Sequence, residues 1–323
     1  MAFDCLRAAC LLALTVMLSV PAMAGPSAYV ATTSRLELNE IQLEVVATAE
    51  FIERLSDRAV EHFQKAGLLP PSLNRPPLPH AAVLQLKLNP EPLQDACPGK
   101  VQYAPSLTLS EPVVVPRNGI VMEGYTWIMQ QDAQVREPVT ISQLEADLDT
   151  FVSQFIIDYS TANRGRDMNE ALFPSKQHPT DPPGVSADLI TPGNASLRDL
   201  RNRPLRVEVL ADRGTRPLTE KASRQLMQAE IPVSHHPTED PEVILSIELI
   251  QKPLEDQCPG KVLYESGLYL VEEVRIQRNP NVMIWSDTWL REDVRIVSPV
   301  SAQQLETDQE RLLEQFIRSF QSR

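Results

Sequence analysis

The sequence predicts an α+β protein built from two tandem β-α-β-β-β-α repeats, each a small, mainly antiparallel sheet with two helices on one face. Three observations predict it. First, the run Cys97-Pro98-Gly99-Lys100-Val101-Gln102-Tyr103 returns as Cys258-Pro259-Gly260-Lys261-Val262-Leu263-Tyr264, the mark of one unit written twice. Second, Leu84, Leu86 and Leu88 recur as Leu245, Ile247 and Leu249, with polar residues between them. Third, a long apolar stripe closes each unit. The match also covers Leu107, Leu109 and Glu111 over Leu268, Leu270 and Glu272, and Arg117-Asn118 over Arg278-Asn279. One residue is inserted before Thr288-Trp289, the counterpart of Thr126-Trp127.

The elements of a unit follow in order. Ile41 to Val46 is a short β-prone run. Glu50 to Ala66 carries Ile52, Leu55, Ala59, Phe63 and Ala66 at helical spacing, and Gly67 stops it. Pro70 to Pro79 is a loop that no helix crosses. Val83 to Leu88 alternates, with one dry and one wet face, as does a half-covered antiparallel strand. Cys-Pro-Gly-Lys is a connection. Val101, Tyr103, Leu107 and Leu109 continue the alternation, broken in the first unit by Pro105 where the second has Ser266. Asn118-Gly119 predicts a tight hairpin, and Asn279-Pro280-Asn281 a different loop at the same turn. Tyr125 to Val135 and Trp285 to Ile296 are the next strands. Leu144, Leu148, Phe151, Val152, Phe155, Ile156 and Tyr159 then form one helical stripe, matched by Leu305, Leu312, Leu313, Phe316, Ile317 and Phe320. Thr140-x-x-Gln143 and Ser301-x-x-Gln304 read as capping boxes that start these helices.

These boundaries place the first repeat at residues 36–162 and the second at 197–323. Residues 163–196, with Pro174, Pro179, Pro182, Pro183 and Pro192, form an extended linker. Residues 1–24 read as a cleaved signal peptide: Arg7, an apolar stretch from Ala8 to Val20, then Ala22-Met23-Ala24, with cleavage before Gly25. The apolar stretch is too short for a membrane span. The expected location is periplasmic or secreted. The net charge of −13 offers nucleic acid no basic stripe.

Chemistry-bearing motifs are few. There is no Gly-x-Ser-x-Gly elbow, no Gly-rich phosphate loop and no His-Glu-x-x-His. The histidines His62, His80, His178, His235 and His236 do not recur between units. The expectation is therefore a non-enzyme with no cofactor and no metal. Cys97 and Cys258 can bridge in an oxidising compartment or sit as two separate buried fillers; the second reading is favoured, since equivalent residues of tandem domains usually lie far apart. Lys100 and Lys261 are turn residues or anion contacts. Glu111/Glu272 and Arg117/Arg278 read as ion pairs on a hairpin, weak if exposed, or as a ligand face. Trp127 and Trp289 cap the core, and Trp285, present in the second unit only, is the better surface candidate.

Gly267-Leu268-Tyr269, Val274, Arg278, Thr288-Trp289 and Gln315-Phe316-Ile317 resemble a broad set of uncharacterised secreted bacterial proteins. The chain departs from that pattern at Leu290, where Ser is expected, and at Pro105-Ser106-Leu107 in the first unit. The β-α-β-β-β-α order is similar to periplasmic modules of the TolB N-terminal domain, the curli-secretion lipoprotein and the penicillin-binding-protein activators. The resemblance implies a binding or assembly module rather than an enzyme. The signal peptide and the two copies of a scaffold without catalytic groups lead to the expectation of an envelope protein or cell-wall component as partner, with sheet edges able to accept a strand. The alternative is a carboxylate-based hydrolase or carbohydrate-processing enzyme with its site between the domains.

Overall fold

The computed structural model describes residues 27–29, 41–67, 72–73, 82–93, 96–162, 197, 200–234, 243–277 and 279–322. The expected signal peptide (1–24), the expected linker (163–196), Arg278, His80, His178 and His235-His236 lie outside them. The chain is mixed α+β, with a mainly antiparallel sheet. The first half runs β2 (Ile41–Val46), α1 (Ile52–Lys65), β3 (Ser72–Leu73), β4 (Ala82–Lys87), β5 (Glu91–Pro92), β6 (Val101–Tyr103), β7 (Ser106–Val114), β8 (Val121–Gln130), β9 (Gln134–Arg136) and α2 (Ile141–Ala162). A short β1 (Ser27–Tyr29) pairs with β8 at Ile128 to Gln130. The second half runs β10 (Arg206–Ala211), α3 (Thr215–Gln228), β11 (Val243–Pro253), β12 (Val262–Ile276), β13 (Asn279–Val297) and α4 (Ala302–Gln321).

In each half the first strand lies parallel to the second, because a helix carries the chain back across the sheet. β2 is parallel to β4 and β10 to β11. The two-residue β3 also lies parallel to β2, and the runs β4-β7-β8 and β11-β12-β13 are antiparallel. Pro105, which has no N–H to give the ladder, splits the first half's strand into β6 and β7; the second half keeps one unbroken β12. The loop at Asn279 is tighter than the sequence suggests, since Asn279 already pairs with Ile276 and starts β13.

The alternating leucines face the helices. Leu84, Leu86, Leu107 and Leu109 pack with Leu55 and Phe63 of α1 and with Leu148 and Phe155 of α2. Leu245, Ile247, Leu268 and Leu270 pack with Leu218 of α3 and with Leu312 and Phe316 of α4. The tryptophans close both cores in the same way: Trp127 meets Phe155 edge-on at 5.2 Å, and Trp289 meets Phe316 edge-on at 5.3 Å. The Trp127 Nε1–H donates to Asp158 at 3.1 Å, whereas Trp289 Nε1 finds no acceptor among the described residues. Thr140 and Ser301 cap their helices as expected, each hydroxyl accepting from the N–H three residues on.

The two halves share one sheet. Beyond Ser110, β7 has outrun β4, and beyond Glu272, β12 has outrun β11. Each extension carries unpaired backbone groups on one edge, and the two edges satisfy each other: Arg275 pairs with Val114 and Ile276 with Val113. Val113, Val115 and Met122 of one hairpin pack on Val274, Ile276 and Ile284 of the other. At this crossing Gly124 has no room for a side chain. A Cβ there would stand 2.6 Å from Val113 Cγ2 and 3.1 Å from Ser286 Oγ. Gly124→Ala is therefore expected to destabilise the protein by about 1–3 kcal/mol through overpacking. Equilibrium denaturation checks this; an unchanged midpoint would contradict the close crossing.

Candidate functional site

The repeated Cys-Pro-Gly-Lys loops turn on glycines in the left-handed region, Gly99 at φ 80° and Gly260 at φ 75°. The loops lie together. Cys97 and Cys258 form a disulfide with Cα atoms 5.9 Å apart, which corrects the favoured reading of two separate thiols. The reason lies in the sheets. Val135 and Leu93 from the first half meet Leu254, Leu263 and Ile296 from the second around the two cysteines, so the equivalent loops share one apolar cluster. Val101, Tyr103, Val262 and Tyr264 enter the cores, as expected. The Tyr103 hydroxyl donates to Asp147 at the start of α2 at 2.9 Å, with Arg136 over its ring; Arg295 lies over Tyr264 and bonds Asp308, the counterpart of Asp147. Lys100 pairs with Glu137, and Lys261 is half-buried.

Arg117 sits at the far end of the hairpins and reaches across to the second half. Its Nε and Nη2 donate to the two Glu272 oxygens at 2.8 and 3.0 Å, across the halves. Both side chains are buried, at 4 % and 3 % exposure. The Thr288 hydroxyl donates to the same carboxylate at 2.5 Å. The ion-pair reading thus gains a partner that the repeat does not name: Arg117 pairs with Glu272 across the halves, and the pair is buried. Glu111 is buried too. The candidate residues fall into two groups, with Lys100, Lys261 and the cysteines near the start of β12, and Arg117 and Trp285 near its end.

The strand pairing assembles a further group that the sequence reading missed. Glu248 on β11 and Glu292 on β13 both oppose Gly267 on β12, on the face turned away from the helices. Glu265 and Tyr269 flank Gly267 on that face, and Asp287 opposes Val271. The Tyr269 ring lies back over the glycine: a Cβ at Gly267 would come within 2.5 Å of its Oη. Trp285 occupies the same face two residues before Asp287, and Tyr125 of β8 stands near enough to feel the charges of Asp287 and Glu292. Burial, then the charges of Glu248 and Glu292, push the Asp287 carboxyl up to about 6. Burial and neighbouring carboxylates also raise Glu248 and Glu292. The signal that finds this group in the sequence is a mismatch between units: Glu248 stands where the first unit has Lys87, and Gly267 and Tyr269 where it has Ser106 and Thr108.

No protein-family model and no curated protein matches the chain. Solved structures do. One is a PelC dodecamer from Paraburkholderia phytofirmans, 12% identical over 38% of this chain and 89% of that chain, with a TM-score of 0.23. That likeness is too slight to carry an argument.

The His62 Nε2–H donates to the Asp149 carboxylate at 2.8 Å beside the Arg58 pair on the helix side, away from the carboxylate face. Among the described residues, no three His, Cys, Asp or Glu side chains converge as metal ligands do, and no helix is long and apolar enough to cross a membrane. A depression of about 330 Å³ between α3 and α4 is lined by Gln225, Gln228, Leu313 and Ile317.

Two outcomes are expected. Arg117→Met leaves the buried Glu272 carboxylate with the Thr288 hydroxyl alone and lowers stability by about 3–5 kcal/mol, read by chemical denaturation; a loss under ~1 kcal/mol would mean the pair does not tie the halves. Asp287 gives a pH dependence. Below about pH 3 its carboxyl is neutral folded and unfolded alike. As pH rises toward 6 the unfolded chain releases the proton while the folded chain holds it, so stability falls over that window. Asp287→Asn should flatten the fall; the same slope in both proteins would contradict it.

Proposed function

We propose that the protein is a secreted or periplasmic, non-enzymatic tandem module that binds another protein or component of the cell envelope. The observation that carries this reading is the disulfide between Cys97 and Cys258. Such a bond persists in oxidising compartments, in keeping with the signal-peptide pattern ahead of Gly25. It also fastens the two halves at one end, while the Arg117–Glu272 pair fastens them at the other. A stiff frame that presents exposed sheet surface suits recognition, because little ordering is needed on binding. The resemblance to secreted bacterial proteins through Gly267-Leu268-Tyr269 and Thr288-Trp289 supports the same reading.

A second reading, a carboxylate-based hydrolase, is favoured by Asp287, whose carboxyl titrates near 6 beside Glu248 and Glu292, as a general acid would. Asp287→Asn would then abolish turnover of a glycoside or peptidoglycan panel. Absence of turnover by the native protein ends that reading.

The binding reading is tested by fractionating expressing cells and by cross-linking the tagged protein in the envelope fraction. It expects a periplasmic or secreted chain, processed before Gly25, that captures one defined partner saturably. A reduced, unprocessed cytoplasmic chain, or no saturable capture, would overturn it.

A further inference from the structure

The two faces of the sheets relate differently to the internal repeat. Core-facing residues are matched: Leu84 by Leu245, Leu107 by Leu268, Trp127 by Trp289. Open-facing residues are not. Lys87, Ala104, Ser106, Thr108, Tyr125 and Gln130 stand in the first half where the second has Glu248, Glu265, Gly267, Tyr269, Asp287 and Glu292. The first sheet folds without these carboxylates, so the scaffold does not require them in the second.

Their placement has a definite form. Neighbouring strands lie about 4.8 Å apart, so Glu248 and Glu292 stand roughly 10 Å apart at the backbone, with Gly267 and the Tyr269 ring between them. That spread is too wide to wrap a metal ion at its ~2.0–2.6 Å ligand distances. It suits an ammonium or guanidinium group, which is drawn to the face of an aromatic ring and to carboxylates on either side. Trp285 and Tyr125, the latter 41 % exposed, extend the aromatic surface beside it. Counter-charge is scarce. Lys252 serves both Glu265 and Asp132, at 3.1 and 3.5 Å, and Lys87 acts on Glu292 from a distance. Glu248, Asp287 and Glu292 make no ion pair or hydrogen bond among the described residues. Burial first, and neighbouring carboxylates second, disfavour the charged forms of all three.

We propose that the open face of β11-β12-β13 docks a cationic segment of a partner protein, with Lys or Arg side chains seated over Tyr269 between Glu248, Glu265 and Glu292. The inference rests on the binding-module reading and adds the charge and place of the partner.

The test is calorimetric titration of the intact mature protein with tetralysine. The comparison is between Glu248→Gln/Glu292→Gln on the face and Glu50→Gln/Glu53→Gln, an exposed pair elsewhere with the same charge change. The native protein and the control pair should bind alike, the face pair about tenfold more weakly, and Tyr269→Ala severalfold more weakly with its charge unaltered. Equal weakening by both pairs would show general attraction to an acidic protein and overturn the proposal, as would no binding by the native protein. Envelope cross-linking separates this from the parent reading. Saturable capture of one partner equally by the native protein and the face pair keeps the binding module and rejects this docking face.

Discussion

The buried pair between Arg117 and Glu272 is the constraint on which the arrangement of the molecule depends. Taking two charges out of water is costly, and the cost is offset only by good geometry and further hydrogen bonds. The geometry here is bidentate, with a third donor from Thr288. It exists only when the hairpin β7-β8 crosses β12-β13 in one way, which is also the way that lets the free edges of β7 and β12 pair. Backbone satisfaction, the small apolar cluster around Val113 and Val274, and the ion pair therefore select the same crossing. With one end of the assembly so fixed, the loops at the other end are held where Cys97 can reach Cys258.

Much of this was legible in the sequence and some was not, for identifiable reasons. Strands and helices were legible because each buries one face: the period-two leucines and the stripes through Phe155 and Phe316 name the core directly. Thr140 and Ser301 mark helix starts because capping is a local interaction. The partners of Arg117 and Cys97 were not legible, because both bonds join sequence-distant positions whose meeting is decided by how the two halves join across β7 and β12. A repeat shows that two units look alike; it carries no information on the angle between them. The boundary of β13 was missed at Asn279 because pairing with Ile276 overrides the turn preference of Asn-Pro-Asn.

The carboxylates around Gly267 show a different limit. Glu248, Glu265, Asp287 and Glu292 are ordinary residues in a chain of net charge −13, and only strand register gathers them. Gly267 matters because the Tyr269 ring takes the space above it, a contact that composition does not foretell. The core-facing residues of the two halves are alike, whereas the open face of the second half carries carboxylates that the first lacks.

The claim that the two halves form one body is tested most directly at the cysteines. The purified chain would be alkylated without reduction, digested and mapped by mass spectrometry. A single cross-linked peptide pair containing Cys97 and Cys258, from a monomeric band and with neither thiol alkylated, is the result the account predicts. Two alkylated thiols in a folded chain recovered from an oxidising compartment, or bridges only between separate copies, would contradict it.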